Sequence, residues 1–190
     1  MMASVWAAWS ASHPTLSMLL EHGSGALALA LNVYGYLHPD DRRLRMLGTV
    51  GAALMSTHNL LIGAWTAAAL HVLFMVRNLI SAHLVGRAQR SKAVWCTGFM
   101  LATLTLAVVT WQGPISMALA LGSCCLTYAF FYLSGARLRA VIGCNILVWM
   151  VNAVVFGSVW QFASGALGAW GAFTGSWRLH RAAAGPAVPK

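Results

Sequence analysis

One arginine lies inside a long apolar stretch of the chain. The stretch HVLFMVRNLI, residues 71–80, places Arg77 among side chains that avoid water. An arginine keeps its charge in proteins, and at the centre of a bilayer it costs at least about 2.5–3.5 kcal/mol. Two interpretations of Arg77 follow. It faces a hydrated cavity and binds a carboxylate or phosphate, or it is a structural arginine hydrogen-bonded to helix-end carbonyl groups.

Few partners for this arginine exist within the chain. Only three residues are acidic. Asp40 and Asp41 lie in a loop, and Glu21 lies toward the far end of the first apolar segment. The neutral side chains that remain as candidates are those of Asn32, Tyr34, His58 and Asn78. We expect Arg77 to bind one of these, a backbone carbonyl, water or an anionic ligand.

The composition predicts that these side chains are held by membrane helices. Hydrophobic residues make up 59% of the chain and charged residues only 8%, too few to cover the surface of a soluble domain. Continuous rather than alternating apolar runs favour helices over a barrel. We predict an all-α membrane protein with seven transmembrane helices, near residues 16–37, 44–62, 66–86, 94–111, 114–133, 139–157 and 160–179.

The basic residues predict an orientation in the membrane. The net charge is +9, which by itself would fit a nucleic-acid partner. Eleven of the twelve Lys and Arg residues, however, follow the first, third, fifth and seventh helices, all on one side, and Arg77 is the twelfth. Such a bias places loops in the cytoplasm. We therefore predict an outside N-terminus, a cytoplasmic C-terminus and no nucleic-acid binding.

An internal repeat appears when the chain is compared with itself at an offset of 94 residues. Residues 27–45 then align with 121–139, and 58–63 with 152–157, without a gap. The unit is three helices, so one linker helix separates two units that enter the membrane in the same direction. This predicts an extracytoplasmic segment (1–15), a first bundle (16–86), a basic loop with linker helix (87–112), a second bundle (113–181) and a cytoplasmic tail (182–190). Sugar transporters of the SWEET type have this 3+1+3 arrangement.

The repeat pairs polar and aromatic residues that are candidates for a binding site. Parallel repeats of this type hold their substrate at the repeat interface near the bilayer midplane. His58 pairs with Asn152, and Tyr34 with Tyr128. The predicted substrate-binding residues are therefore Arg77, Asn78, His58, Asn152, Tyr34 and Tyr128. Interhelical hydrogen bonds for the first pair, and packed aromatic rings for the second, are the structural alternatives.

A metal site is an alternative for the outer half of the first repeat. One carboxylate and three imidazoles occur there, and such ligands suit divalent metals. They belong to Glu21, His22, His58 and His71. Nothing in the second repeat mirrors this set, so we predict no metal and no other cofactor.

Several segments resemble the YgjV family of small bacterial inner-membrane proteins. They are DDRRLRMLGTVGAALMSTHNLLIGAWTAA, VRNLISAH, WMVNAVVFGS and a terminal WRLHR. The shared motifs are an acidic-then-basic first loop, His-x4-Gly in the second helix, an arginine in the third and Trp-x7-Gly in the sixth. The resemblance implies a bacterial inner membrane and a distant similarity to SWEET and PQ-loop transporters. Asn78 lies close to the place where SWEET-type proteins carry an asparagine.

The sequence thus predicts a transporter or facilitator of a small polar, anionic metabolite, with the lipid bilayer as its surroundings. Neither a phosphate-binding glycine loop nor the spacing of a hydrolase is found, so we predict that it is not an enzyme. A non-transporting scaffold or partner subunit is the rival hypothesis, and a metal-binding membrane protein is a third. The sequence leaves oligomerisation open.

Overall fold

The computed structural model describes residues 14–84 and 89–184, and all regular structure in these ranges is helical. The helices are α1 (Pro14–Leu37), α2 (Asp41–Leu61), α3 (Trp65–His83), α4 (Gln89–Val109), α5 (Pro114–Tyr132), α6 (Gly135–Val155) and α7 (Val159–Ala184). The predicted extracytoplasmic segment, up to residue 13, and the predicted tail, from residue 185, lie outside the described residues, as does part of the basic loop after α3.

Five of these seven helices are long and apolar enough to cross a membrane, namely α1, α3, α4, α5 and α6. The other two are long enough but less apolar. The first turns of α2 carry Asp41, Arg42, Arg43 and Arg45, and α7 contains several polar residues and four glycines. Large apolar side chains such as Leu101, Val109 and Val154 are mostly exposed on the bundle. Such a surface is suited to lipid rather than water.

The helices begin earlier than the apolar runs because their charged first turns are helical too. Asp40 caps α2, and its Oδ1 accepts a 2.8 Å hydrogen bond from the backbone N–H of Arg42. This bond holds the pKa of the exposed Asp40 carboxyl below its usual value. The sequence prediction began α2 at residue 44 and α6 at residue 139, and both starts were three to four residues late.

Six helices form a closed ring, and α4 lies outside it. Around the ring, α1 packs against α2, α2 against α3, α3 against α5, α5 against α6, α6 against α7, and α7 against α1. The main contacts of the remaining helix, α4, are with α3 and α5. The ring has two ends. At the basic end the chain connects α1 to α2 and α5 to α6. At the turn end it connects α2 to α3 and α6 to α7.

The two joins at the turn end have the same backbone conformation. Gly63 has φ +77° and Gly157 has φ +65°, a region that favours glycine. Each join contains the same three backbone hydrogen bonds, one of which runs from the Ala64 N–H to the Asn59 carbonyl and, 94 residues later, from the Ser158 N–H to the Ala153 carbonyl. Both α2 and α6 are 21 residues long and begin 94 residues apart.

Two apolar clusters fill most of the ring interior. One, nearer the basic end, includes Leu44, Leu126, Phe130, Leu138 and Ile142. The other, nearer the turn end, includes Ala52, Leu70, Phe74, Leu119 and Trp149. Between them the packing is incomplete, and a cavity remains.

Candidate functional site: a cavity around Arg77

The cavity lies at the centre of the ring and has a volume of about 120 Å³. All six ring helices contribute to its wall, and α4 contributes no residue to it. Several apolar side chains of both clusters face it, among them Phe74, Phe130 and Trp149. Its polar lining residues are Asn32, Tyr36, His71, Arg77, Asn78, Asn145, Gln161 and Ser164. The cavity therefore combines one strong cation with neutral polar groups and apolar walls.

Arg77 is held in place by two polar side chains and two aromatic rings. Only 2% of the residue is exposed. Its Nε and Nη2 donate to Asn78 Oδ1 at 3.3 and 2.9 Å, and its Nη1 donates to Thr127 Oγ1 at 3.3 Å. The guanidinium carbon lies 4.5 Å from the ring centre of Phe74 and 4.4 Å from that of Phe130. Cation–π contacts with both rings thus help to hold the guanidinium in the interior.

No acidic side chain neutralises this cation within the described part of the chain. The cavity lining there includes no Asp or Glu, and no hydrogen bond of Arg77 goes to a backbone carbonyl. Arg77 thus does not have the contacts expected of an arginine that caps helix ends. The sequence predicted Arg77 near the middle of a helix that ends near residue 86. In the structure α3 ends at His83, so Arg77 lies only six residues before its end, on the side of the basic end.

Two further polar groups at the turn-end side of the cavity lack partners. Gln161 lines the cavity, is 5% exposed, and its Nε2 has no hydrogen-bond partner among the described residues. Its Oε1 accepts a long 3.5 Å bond from Asn152 Nδ2, and Asn152 Oδ1 also lacks a partner there. Unpaired amide groups in the interior are costly unless water or a ligand binds them.

Asparagines approach the ring axis at two places where a neighbouring helix has a glycine. Asn32 of α1 lies against Gly51 of α2, and a Cβ at residue 51 would clash with its amide. Asn145 of α6 lies against Gly122 of α5, where a Cβ would come within 2.7 Å of its Oδ1 position. With its amide turned to satisfy both groups, Asn145 donates to the Gly122 carbonyl and accepts from Trp149 Nε1. The glycines thus let amide groups enter the cavity wall.

Two buried arginines, Arg45 and Arg139, connect different helices at the basic end of the ring. We call this pair the arginine clamp. Arg139 of α6 donates to the His38 carbonyl after α1 at 2.6 Å, and its Nη1 pairs with Asp41 Oδ1 of α2 at 2.5 Å. Arg45 of α2 donates to the carbonyl of Phe130 near the end of α5 at 3.2 Å. Each arginine therefore caps the first helix of the opposite half.

Most of the chain matches the profile of one protein family. The profile of the family Imp-YgjV, described as bacterial inner membrane protein, matches residues 19–182. The chain belongs to this family. It is 23% identical to the inner membrane protein YgjV of Escherichia coli K12 over 141 residues, which cover 74% of this chain and 73% of that protein. No solved structure matches the chain. The predicted resemblance to the YgjV family is confirmed, and the protein is a multi-pass protein of the bacterial inner membrane.

In this member of the Imp-YgjV family, four of the six predicted binding residues are buried in the interior. Arg77 and Asn78 line the cavity together. Asn152 lies next to the cavity through Gln161. His58 is buried outside it, where its Nδ1 donates to the Glu21 carbonyl at 3.1 Å and its Nε2 accepts from Ser158 Oγ at 2.7 Å. His58 thus ties α1 and α2 to α7 at the turn end.

The two predicted tyrosines lie elsewhere. Tyr34 is 57% exposed and Tyr128 is 51% exposed, and neither lines the cavity. Tyr34 packs against His38, and Tyr128 against Tyr132, close to the basic end. Tyr36, two residues after Tyr34 and on the other side of the helix, faces the cavity instead.

Three of the four residues of the alternative metal site are bound to other groups in the structure. Trp160 Nε1 donates to His22 Nδ1 at 2.7 Å, and His71 Nδ1 donates to the Ala67 carbonyl at 2.8 Å. His58 contacts the backbone of Glu21 rather than its carboxylate. Within residues 14–84 and 89–184, no group of three His, Cys, Asp or Glu side chains is positioned to bind a metal ion.

The sequence reasoning missed several cavity residues. Asn145 lies in the apolar run VIGCNILVWM, so an intramembrane asparagine was the available signal for it. Thr127 and Phe130 gave no comparable signal, because threonine and phenylalanine are ordinary residues in membrane helices. Only the packing of α5 against α3 brings them to Arg77.

Proposed function

We propose that this protein is a facilitator that binds a small polar, anionic metabolite in the central cavity and lets it cross the inner membrane. The observation that carries the proposal is Arg77, a buried cation that faces a cavity without a carboxylate partner among the described residues. A guanidinium presents five N–H donors in a rigid fork that suits carboxylate and phosphate groups. Asn78, Gln161 and Tyr36 add neutral polar groups around it.

The proposed architecture is SWEET-like, with two parallel three-helix repeats, α1–α3 and α5–α7, joined by the linker helix α4. Three observations support it. The helices α2 and α6 begin 94 residues apart and have the same length, and the turns that follow them share their hydrogen bonds. The contact of α1 with α7 corresponds to that of α5 with α3. The helix α4 lies outside the ring that surrounds the cavity.

Passage through such a ring requires that its two ends open in turn. At the basic end, the arginine clamp joins the first and second halves. At the turn end, His58 joins them through Ser158. The cavity lies between these two sets of contacts, so we propose that each set is a closure that opens while the other stays closed.

The proposal includes orientation, coupling and partners. The basic end faces the cytoplasm, because short loops rich in Lys and Arg stay there, and the N-terminus is outside. With three acidic residues in the chain, few groups are available to carry protons, so a uniporter is favoured over a proton-coupled pump. The partners are the lipid bilayer and the anion, oligomerisation is left open, and neither a covalent step nor nucleic-acid binding is part of the function.

Uptake of radiolabelled anions into vesicles that contain the purified full-length protein tests this function. We expect at least one of butanoate, succinate and inorganic phosphate to enter faster than into protein-free vesicles. Arg77→Gln replaces the cation by a neutral amide. We expect it to lower the uptake rate by about tenfold or more, because a tenfold loss corresponds to roughly 1.4 kcal/mol of binding free energy.

The matched control is Arg43→Gln, which removes an exposed arginine from the basic end. It is expected to leave uptake unchanged. If no anion enters faster than into protein-free vesicles, the facilitator function is wrong, and the non-transporting scaffold or partner subunit takes its place.

A further inference from the structure

We propose that the ligand of the cavity is a short monocarboxylate whose remaining part carries no second charge. This inference rests on the proposed anion-binding function and narrows it to one chemical class. Four features of the cavity lead to it: the number of charges, the number of free N–H donors, the nature of the remaining wall, and the volume.

The number of charges selects a monoanion. Arg77 is the only Lys or Arg among the described residues that line the cavity. A single negative charge neutralises it. A dianion would leave one net negative charge in an interior where an unpaired ion is strongly penalised. The nearest other buried arginine, Arg45, already donates to backbone carbonyls at the basic end.

The free donors select a carboxylate. Three of the five N–H groups of Arg77 are used, two by Asn78 and one by Thr127. Two remain without an acceptor among the described residues, the number that a bidentate carboxylate takes. Tyr36 also lines the cavity, and its hydroxyl makes no hydrogen bond to a described residue. It can donate a further bond to a carboxylate oxygen.

The rest of the wall selects against a second charged group on the ligand. The described lining residues include no carboxylate, so an ammonium group would be buried without a counterion. The apolar part of the wall includes Ala52, Met55, Ile146 and Trp149, and it suits an alkyl tail. An amino acid is therefore disfavoured relative to a simple acid of the same length.

The volume suits a ligand of a few carbons. About 120 Å³ is slightly less than the ~150 Å³ of an engineered protein cavity that binds benzene, a molecule of six carbons. Butanoate, with four carbons and two oxygens, is of similar size.

A set of ligands with the same four-carbon skeleton tests the inference. Thermal unfolding of the purified full-length protein is measured with butanoate, butanamide, 2-aminobutanoate and succinate, and with inorganic phosphate. We expect butanoate to raise the midpoint, and the others to require at least about tenfold higher concentration for the same rise. The amide removes the charge and replaces one acceptor oxygen by an NH₂ donor, the amino acid adds an ammonium, and succinate adds a second carboxylate.

Two variants show whether the response comes from this cavity. Tyr36→Phe removes one donor and is expected to weaken butanoate binding severalfold. Arg77→Lys keeps the charge but loses the planar fork, and is expected to weaken it by about tenfold or more. Arg43→Gln, on the exposed surface, is expected to leave the affinity unchanged.

The outcomes separate this inference from the function on which it rests. If succinate, phosphate or 2-aminobutanoate binds as well as butanoate or better, and Arg77→Lys weakens that binding, the monocarboxylate assignment is wrong and the anion-binding function stands. If butanoate binds equally well to the Arg77→Lys and Tyr36→Phe variants, the ligand lies outside the cavity and the assignment is also wrong. If no anion in the set changes the midpoint, both the assignment and the anion-binding function fail.

Discussion

Replacing Arg77 with methionine is expected to stabilise the protein in the absence of anions and to remove its response to them. Methionine fills the space between Phe74 and Phe130 without a buried charge. Replacing a buried ionic group by an apolar one of similar size is often stabilising, here by about 1–3 kcal/mol. Thr127 keeps its hydrogen bond to the Ser123 carbonyl, and Asn78 lines the cavity, where its amide can be hydrated. The free energy of unfolding in mixed detergent micelles, with and without anion, measures both effects.

The same substitution at Arg45 provides the control. Arg45 is also buried, but it donates to the Phe130 carbonyl near the end of α5, which would lose this partner. Arg45→Met is therefore expected to destabilise the protein by about 1–3 kcal/mol. If Arg77→Met destabilises the protein to the same extent, Arg77 is a structural arginine, and its placement in a ligand cavity has no functional meaning.

The second large effect concerns the pair between Asp41 and Arg139. Arg139→Gln removes the cation that pairs with Asp41 Oδ1 at 2.5 Å and that donates to the carbonyls of His38 and Pro39. The Arg139 side chain is 1% exposed and that of Asp41 22%. Because the loss leaves a half-buried carboxylate without its partner, we expect the free energy of unfolding to fall by about 3 kcal/mol. Denaturation by titration with sodium dodecyl sulfate measures it.

An exposed pair in the same region supplies the comparison. Arg43 Nε lies 3.9 Å from Asp40 Oδ2, and the two side chains are 67% and 49% exposed. Arg43→Gln is expected to change the free energy of unfolding by less than about 1 kcal/mol, as exposed ion pairs usually do. Equal losses for Arg43→Gln and Arg139→Gln would contradict the arginine clamp as a contact that joins the two halves.

The sequence identified Arg77 and Asn78 because polar groups in an apolar run have to be explained, and both line the cavity. It placed Tyr34 and Tyr128 in the site through the repeat alone. Pairing by an internal repeat says which residues are equivalent, but not which way each faces. The apolar pattern of α1 does not separate the exposed Tyr34 from Tyr36, since both sides of that helix carry large side chains.

The contacts across the ring were beyond the reach of the sequence. Arg77 and Thr127 are 50 residues apart in the chain, and Arg139 and His38 are 101 apart. Arg45 and Arg139 stand at the very start of two predicted helices, among basic residues that the orientation rule explains as cytoplasmic charges. In the structure they are buried at 3% and 0% exposure because α2 and α6 begin before them and turn them into the ring.

Thiol labelling measures whether water reaches the centre of the ring, as a facilitator requires. Ser164→Cys places a thiol in the cavity wall, and Ser123→Cys places one in a buried position outside it. Both are made in a background that lacks Cys96, Cys124, Cys125 and Cys144. A small anionic methanethiosulfonate is expected to label residue 164 and not residue 123, and butanoate is expected to slow the labelling. If neither position reacts while loop cysteines do, the ring is dry, and Arg77 is not the anchor of a transported anion.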